Sequence, residues 1–217
     1  KTKRIIAVFF FFSMLLTSAP FAFAENNADN GYTITNPYAN INWETINQYK
    51  TALHTHTNAS DGDDTLLNSI ERHYETGFDI VAITDHGISD IGWNDKGQGN
   101  NLITTVMTLF GKSDGNLVYL EQSGTFPKGT KYEMKNNGTD DYLITEDGHE
   151  ILRIPYGIEN NAVSINAHVN SWFGKFSDNM PSGYRNAITG VDKAGGISVI
   201  NHPGEYTQAR YELYQED

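Results

Sequence analysis

The segment YKTALHTHTNASDGDDTLLNSIERHYETGFDIVAITDHG, residues 49–87, decides the fold class that the sequence predicts. Residues 49–56 are typical of a strand, and residues 78–87 form a continuous apolar run that predicts a second, buried strand. Between them, residues 63–77 predict a helix that Asp63 or Asp64 can cap and that Gly77 ends. The apolar side chains of this helix are Leu66, Leu67, Ile70 and Tyr74. Strand, helix and strand in succession indicate a βαβ unit, which favours a parallel sheet or barrel.

The end of the first strand carries a pattern that suggests a metal site. His54 and His56 are two residues apart, so on a strand their imidazoles point to the same face. Asp61 lies on the loop beyond, followed by Gly62, and can turn back toward the same place. This part of the chain supplies too few ligands for a complete site, so further ligands are expected elsewhere.

The rest of the chain continues with further strands and helices. We predict helices over 100–111 and 184–196, and strands over 116–124, 162–170 and 197–204. Turn signals at Asn137-Gly138 and Asp147-Gly148 separate short β-prone runs and predict hairpins. We interpret about 88–150 as a β-rich insertion that leads into a strand ending at Glu159.

Five of the seven histidines fall at or just beyond the end of a predicted strand. They are His54, His56, His86, His168 and His202. In parallel α/β folds the carboxyl ends of the strands share one face, which holds the active site. Taken singly, each histidine is more often a hydrogen-bonded core residue, and Asp61 or Asp85 could simply form a turn. The joint arrangement favours a site, whereas His73 and His149 are expected to be surface residues.

Composition and the first residues indicate an extracytoplasmic protein. Residues 1–24 combine a basic start, an apolar run and the small-residue sequence AFA, which predicts a signal peptide cleaved near Ala24. An uncleaved anchor or a buried core helix is the alternative, although the run is short for a membrane span. Without these residues, twelve basic side chains face twenty-seven acidic ones, a net charge of −15. Such a charge disfavours nucleic acids and anionic membranes as partners, and the absence of cysteine excludes disulfides.

The motifs resemble those of the PHP family, named for polymerase and histidinol phosphatase. The matching stretches are HTHTNASDG (54–62), ITDHG (83–87), GIE (157–159), AHVN (167–170) and AGGISVINHPG (194–204). The resemblance covers roughly residues 50–206. It implies an α/β fold, a distorted (β/α)7 barrel, with two or three divalent metal ions at the carboxyl ends of the strands and hydrolysis of phosphoesters. The expected organisation is a signal peptide (1–24), a leader (25–49) and the PHP-like domain (50–217).

The resemblance also implies a role for each site residue. His54 and His56 would hold one metal, which Glu159 would bridge to a second. That second metal would be completed by His168 and His202. Asp61 and His86 would hold a third. Asp85 would orient an imidazole or a bound water and, together with Glu159, support catalysis.

One departure from the family concerns the end of the sequence. The family closes its metal cluster with a late Asp-x-His, and none follows His202 here. The sequence also starts without methionine, and the strands are too few for a seven-stranded barrel. We therefore expect the natural chain to continue past Asp217 and the barrel to be truncated in this sequence.

The expected function is hydrolysis of a small phosphorylated substrate by a hydroxide that bridges the metals. Imidazole and carboxylate ligands fit zinc, manganese or iron. Two alternatives stay open. An amidohydrolase also begins with His-x-His, but it usually adds a bridging lysine, and neither Lys175 nor Lys193 lies where one is expected. A secreted module could also bind metal without turnover. The sequence predicts no stable membrane anchor and leaves the oligomeric state and the substrate open.

Overall fold

The computed structural model describes residues 35–95, 102–111, 119–136, 141–161, 168–178 and 183–202. The chain divides into two units, residues 1–46 and 47–217. In the first unit, the described residues 35–46 form turns, in which the side chains of Asn36 and Asn42 accept hydrogen bonds from the backbone. The predicted signal peptide lies outside the described residues. No helix in the described ranges is long and apolar enough to cross a membrane.

The second unit starts with the predicted βαβ unit. Strand β1 (Thr51–Ala52) pairs in parallel with β2 (Ile80–Val81), and helix α1 (Leu66–Glu75) connects them. The helix cap is Thr65, whose side chain accepts from the Asn68 amide, rather than Asp63 or Asp64. Gly77 follows the helix with a φ of 73°, a left-handed conformation that suits glycine. The local pattern therefore predicted the helix and the parallel pair, but each strand has two residues instead of spanning 49–56 or 78–87, and the capping residue differs.

A meander of four strands extends the sheet. Its strands are β3 (Ser123–Thr125), β4 (Lys131–Asn136), β5 (Asp141–Thr145) and β6 (Glu150–Arg153). Each pairs antiparallel with the next one along the chain, and β6 also pairs in parallel with β2. The predicted Asp147-Gly148 turn joins β5 to β6, with Gly148 at a φ of 87°. The predicted turn at Asn137-Gly138 lies outside the described residues. Helix α2 (Leu102–Leu109) precedes the meander, and whether 88–150 is an insertion stays a prediction.

A second sheet has three antiparallel strands in the order β7-β8-β9. Strands β7 (Ile158–Asn160) and β8 (Val169–Trp172) are followed by helix α3 (Gly183–Lys193) and strand β9 (Ile197–Ile200). Of the strand predicted over 162–170, the described residues show Val169 and Asn170 in β8. Of the one predicted over 116–124, they show Ser123 and Gly124 in β3.

Two apolar clusters support these sheets. The larger one packs α1 against the six-stranded sheet, and its buried members are Leu66, Ile70, Val81, Ile83, Trp93, Leu120, Phe126, Tyr132, Met134, Leu143 and Ile151. The smaller one packs α3 against the second sheet through Val169, Tyr184 and Ala187. Burial of this apolar surface is the main driving force for folding.

The prediction of a (β/α)7 barrel is wrong. The described residues form two open sheets of six and three strands with three helices, and no closed barrel exists among them. A repeating βα pattern requires a crossover between successive parallel strands. Strands β3 to β6 instead pair antiparallel with their neighbours in the chain. Helix α3 also connects an antiparallel pair, β8 and β9, rather than a parallel one.

Candidate metal centre

His54 and His56 lie just beyond β1, on residues that belong to no strand. Parallel pairing continues past the strands, because the amides of Ala82 and Thr84 donate to the carbonyls of Ala52 and Thr55 at 2.8 Å each. The two imidazoles stack with their centroids 4.8 Å apart. The His-x-His spacing thus places both rings together, as the sequence suggested.

A tight loop returns Asp61 to these rings. The Thr57 carbonyl accepts from the amides of Ser60 and Gly62, at 3.1 and 2.9 Å. A Cβ at position 62 would lie 2.6 Å from the backbone carbonyl of His56, so the loop requires glycine there. Asp61 Oδ1 consequently lies 2.7 Å from His56 Nδ1.

Asp85 stabilises the same loop through hydrogen bonds. Its carboxylate is buried and accepts from the Thr57 amide and hydroxyl, each at 2.7 Å, and from the Ser60 hydroxyl at 2.6 Å. Burial raises the pKa of Asp85 despite these three donors. The contacts of Asp85 are therefore to the loop that carries Asp61, and its catalytic role stays a prediction.

Glu159 reaches the centre because β7 passes close to the chain after β2. His86 and Glu159 form a parallel bridge, and the Gly87 amide donates to the Glu159 carbonyl at 2.8 Å. A Cβ at position 157 would overlap the carbonyl oxygen of Ile83. The glycine of the GIE motif is thus what lets this segment approach, and the Glu159 side chain is fully buried.

His168 joins the site from the opposite direction to the one predicted. It immediately precedes β8, at the amino end of that strand. Because β8 runs antiparallel to β7 and β9, its amino end lies beside the carboxyl ends of both neighbours. The backbone amide of Asn201 accordingly donates to the His168 carbonyl at 2.9 Å. His202 follows with a φ of 51°.

The two carboxylate oxygens of Glu159 face all five of the predicted imidazoles. Oε2 lies 2.9 Å from His56 Nε2, 3.1 Å from His86 Nδ1 and 3.9 Å from His54 Nε2. Oε1 lies 3.3 Å from His168 Nδ1 and 3.5 Å from His202 Nε2. Glu159 is therefore the central residue of the cluster.

The protonation equilibria of the metal-free cluster are strongly coupled. Burial alone would lower the pKa of His56, but its hydrogen bond to Asp61 and the Glu159 carboxylate 2.9 Å from Nε2 outweigh it and raise the pKa to about 10. Burial opposes ionisation of Glu159, yet the nearby imidazoles of His168 and His56 bring its pKa well below the usual range. Burial lowers the pKa of His54. A buried carboxylate that stays ionised needs cationic partners, and in the metal-free chain protonated histidine provides them.

Three groups of residues could each hold a metal ion, since their donor atoms lie within 4.8 Å of one another. The groups are His54 with Glu159 and His202, His56 with Asp61 and His86, and His86 with Glu159 and His168. Glu159 Oε2, His56 Nε2 and His86 Nδ1 are buried and make no hydrogen bond despite their proximity. Buried polar atoms that converge without hydrogen-bonding one another are the arrangement that a cation satisfies, so the donor set fits a metal. The structure thus brings all seven predicted ligands together, whereas Asp85 belongs to none of these groups.

Two asparagines at the site were missed in the sequence. Asn201 Nδ2 donates to Glu159 Oε1 at 2.7 Å, and the Asn170 amide contacts His54 Nδ1. Both lie inside quoted motifs, AHVN and INHPG, next to or two residues from a predicted ligand. Their position was the available signal, but asparagine is also common in turns, which conceals such a role.

Three other residues have structural contacts away from the cluster. His73 Nδ1 bonds the Ser69 carbonyl at 2.7 Å, and His149 Nε2 bonds the Phe78 carbonyl at 2.9 Å. The sequence predicted surface residues at both positions, but the two side chains are half-buried. Arg153 is buried and pairs with acidic residues, at 3.2 Å from Asp90 and 2.7 Å from Asp141.

Comparison with known proteins gives no relative on which to base an assignment. The chain matches no protein-family model, and no curated protein or solved structure is significantly similar to it. The function must therefore be argued from the site.

Proposed function

We propose that this protein is a metal-dependent phosphoesterase of the PHP type, with two or three divalent ions of zinc, manganese or iron. The observation that supports this most is the fully buried Glu159, whose unbonded Oε2 faces unbonded nitrogens of His56 and His86. A buried carboxylate among five imidazoles costs stability unless cations compensate it. Mixed imidazole and carboxylate donors favour these metals over magnesium, which prefers oxygen.

The charge of the site suits a phosphorylated substrate. The seven ligands contribute two negative charges, from Asp61 and Glu159, when the five imidazoles are neutral. Two divalent cations would therefore leave the site positive in a chain whose net charge is −12. This local excess would attract a phosphate group that the rest of the surface repels.

The mechanism assigns distinct tasks to the side chains. Bound cations would lower the pKa of a water toward neutrality and neutralise charge on the phosphoryl oxygens. Glu159 stays ionised and joins adjacent groups of ligands. Asp61 accepts from His56 Nδ1, which leaves His56 Nε2 available on the side of Glu159. Asp85 fixes the loop that carries Asp61, and we assign it a positioning role in catalysis.

The decisive experiment measures metal content and hydrolysis on the same samples. Purified protein is stripped with chelator, reloaded with Zn²⁺, Mn²⁺ or Fe²⁺, analysed for bound metal, and assayed with p-nitrophenyl phosphate and bis(p-nitrophenyl) phosphate. We expect at least two ions per chain and hydrolysis that depends on them. His86→Ala should lose both, whereas His73→Ala and His149→Ala serve as matched controls and should retain both.

The alternatives give different results in this experiment. Stoichiometric metal without turnover of any ester would indicate a binding module. Turnover of an amide or carboxylic ester, with none of the phosphoesters, would indicate an amidohydrolase. A protein that binds no metal would contradict the proposal altogether.

We also propose that the protein acts outside the cytoplasm. The support is the basic start, apolar run and AFA sequence of residues 1–24. Mass spectrometry of secreted protein should give a mature amino terminus near Glu25. An intact amino terminus would contradict this part of the proposal.

A further inference from the structure

Asn170 lies between two of the predicted ligands, Glu159 on β7 and His54 after β1. Its side chain is buried, and in the register of β7 and β8 it is directly opposite Glu159. Directly opposed residues of an antiparallel pair project to the same side of the sheet. The Asn170 amide therefore extends beside the Glu159 carboxylate, where it contacts Nδ1 of His54 from the segment after β1.

The chemistry of this contact depends on which nitrogen of His54 carries the proton. A neutral imidazole has one N–H donor and one lone pair. His54 Nε2 faces Glu159 Oε2 at 3.9 Å and belongs to the group His54, Glu159 and His202. If Nε2 is to bind a cation, it must supply the lone pair, so the proton must be on Nδ1.

The Asn170 amide has an acceptor that is suited to this proton. Its Oδ1 is buried and makes no hydrogen bond, while Nδ2 faces His54 Nδ1. A half turn of the amide exchanges two atoms of nearly equal size and places Oδ1 against Nδ1. Oδ1 then accepts from Nδ1–H, which satisfies the buried oxygen and leaves the Nε2 lone pair on the side of Glu159.

The neighbouring Asn201 does not supply the same acceptor. Its Nδ2 lies 3.5 Å from His54 Nδ1, but it donates to the Glu159 carboxylate at 2.7 Å. A bond to a charged acceptor at that distance is the stronger of the two. Asn201 therefore orients Glu159, and Asn170 remains the partner for Nδ1.

We propose that Asn170 is a positioning residue that fixes the tautomer of His54, accepting Nδ1–H through Oδ1 so that Nε2 can bind metal. The inference rests on the proposed function only in that Nε2 is taken to be a ligand. It predicts a particular tautomer even in the metal-free protein, so it can be tested without any assay of turnover.

The test is ¹⁵N NMR of the imidazoles in metal-free protein labelled at histidine, near pH 8, with His54 assigned by a His54→Gln variant. We expect the proton on Nδ1 in the native chain and in Asn170→Asp, which keeps an acceptor. In Asn170→Leu, which has no acceptor, we expect the proton to shift to Nε2. A proton on Nε2 in the native chain, or no difference between the two variants, would overturn the inference.

Zn²⁺ affinity provides the second measurement. Competition with a chromophoric chelator should show affinity reduced about 10- to 100-fold in Asn170→Leu, the range for partners that orient a metal-binding histidine. Asn170→Asp should restore most of it, and Asn68→Leu on α1 is the matched control. If Asn170→Leu does not fold, the native spectrum alone decides. If no Zn²⁺ binds the native protein, the proposed function fails, while the NMR result still decides the role of Asn170.

Discussion

Replacing Glu159 with glutamine tests the centre of the site most directly. The change keeps the shape of the side chain and removes its charge. One oxygen becomes an amide whose hydrogens face imidazole nitrogens that lie 2.9 to 3.5 Å from the carboxylate. Metal-free and metal-loaded protein should both be affected, for different reasons.

In the metal-free protein the loss is that of a buried charge pair. Removing one partner of such a pair costs about 3 to 5 kcal/mol. Asp61 still accepts from His56 at 2.7 Å in the variant, so we expect the lower end, about 3 kcal/mol. For a chain of this size that corresponds to a melting temperature lower by about 6 to 12 °C. The measurement is thermal unfolding with chelator at pH 6, and Glu150→Gln, at an exposed position on β6, is the control.

In the metal-loaded protein the loss is that of a ligand shared by two of the three groups. Removal of groups that merely orient ligands lowers metal affinity about 10- to 100-fold, so loss of Glu159 should lower it by at least as much. Metal analysis after dialysis and hydrolysis of p-nitrophenyl phosphate measure this effect. Native melting temperature and native metal content in Glu159→Gln would refute the central role of this residue.

Arg153→Ala should destabilise the protein by about 3 to 5 kcal/mol in urea unfolding, since it removes the buried cation that Asp90 and Asp141 face. Arg72→Ala at an exposed pair should cost less than about 1 kcal/mol, and equal effects would contradict this. Gly157→Ala should lower the free energy of unfolding by about 1 to 3 kcal/mol, because the added Cβ would overlap the backbone carbonyl of Ile83. It should also reduce the amount of bound metal by displacing Glu159, and native metal content in the variant would contradict this. In the metal-free protein, the raised pKa of His56 means that its stabilisation is complete below about pH 6.5 and is lost as the pH rises toward 10. The lowered pKa of Glu159 means that its stabilisation is complete above about pH 4.5 and is lost on acidification. Urea unfolding across pH should therefore show the greatest contribution of the cluster between these limits, and a flat profile would contradict the charge pairing.

The sequence predicted the elements whose causes are local. The helix after the His-x-His segment has an apolar face and a glycine stop, and the Asp147-Gly148 turn has a residue at positive φ. Each of these signals acts over a few residues, so it can be read without the rest of the chain. The cap of α1 was assigned to the wrong residue because three successive side chains, Asp63, Asp64 and Thr65, can all accept from a backbone amide.

The arrangement of the strands could not be predicted in the same way. A strand predicted from an apolar run carries no signal for the direction in which its neighbour runs, since pairing is decided by distant parts of the chain. The first βαβ unit favoured a parallel sheet or barrel and the family resemblance implied a (β/α)7 barrel, but β3 to β6 form a meander and β8 returns antiparallel. Gly157 was also read only as part of a motif, although its reason is a close approach to Ile83 that only the structure shows.

The site nevertheless gathers the residues that the sequence singled out, and the cause differs from the one assumed. The prediction placed the five site histidines at or just beyond the ends of strands and took these to be the carboxyl ends of a parallel sheet. His168 lies at the amino end of β8, yet the antiparallel pairing of β8 with β9 brings that end to the residues that follow β9. A ligand at either end of a strand can therefore reach one site, provided that the strand's direction matches. The motif spacing predicts only that a ligand lies near the end of a strand. The direction of that strand then decides at which edge of the sheet the ligand lies. The chemistry of the cluster is thus compatible with more than one topology, which is why the ligand set, and not the barrel, is the part of the sequence reading that carries the proposed function.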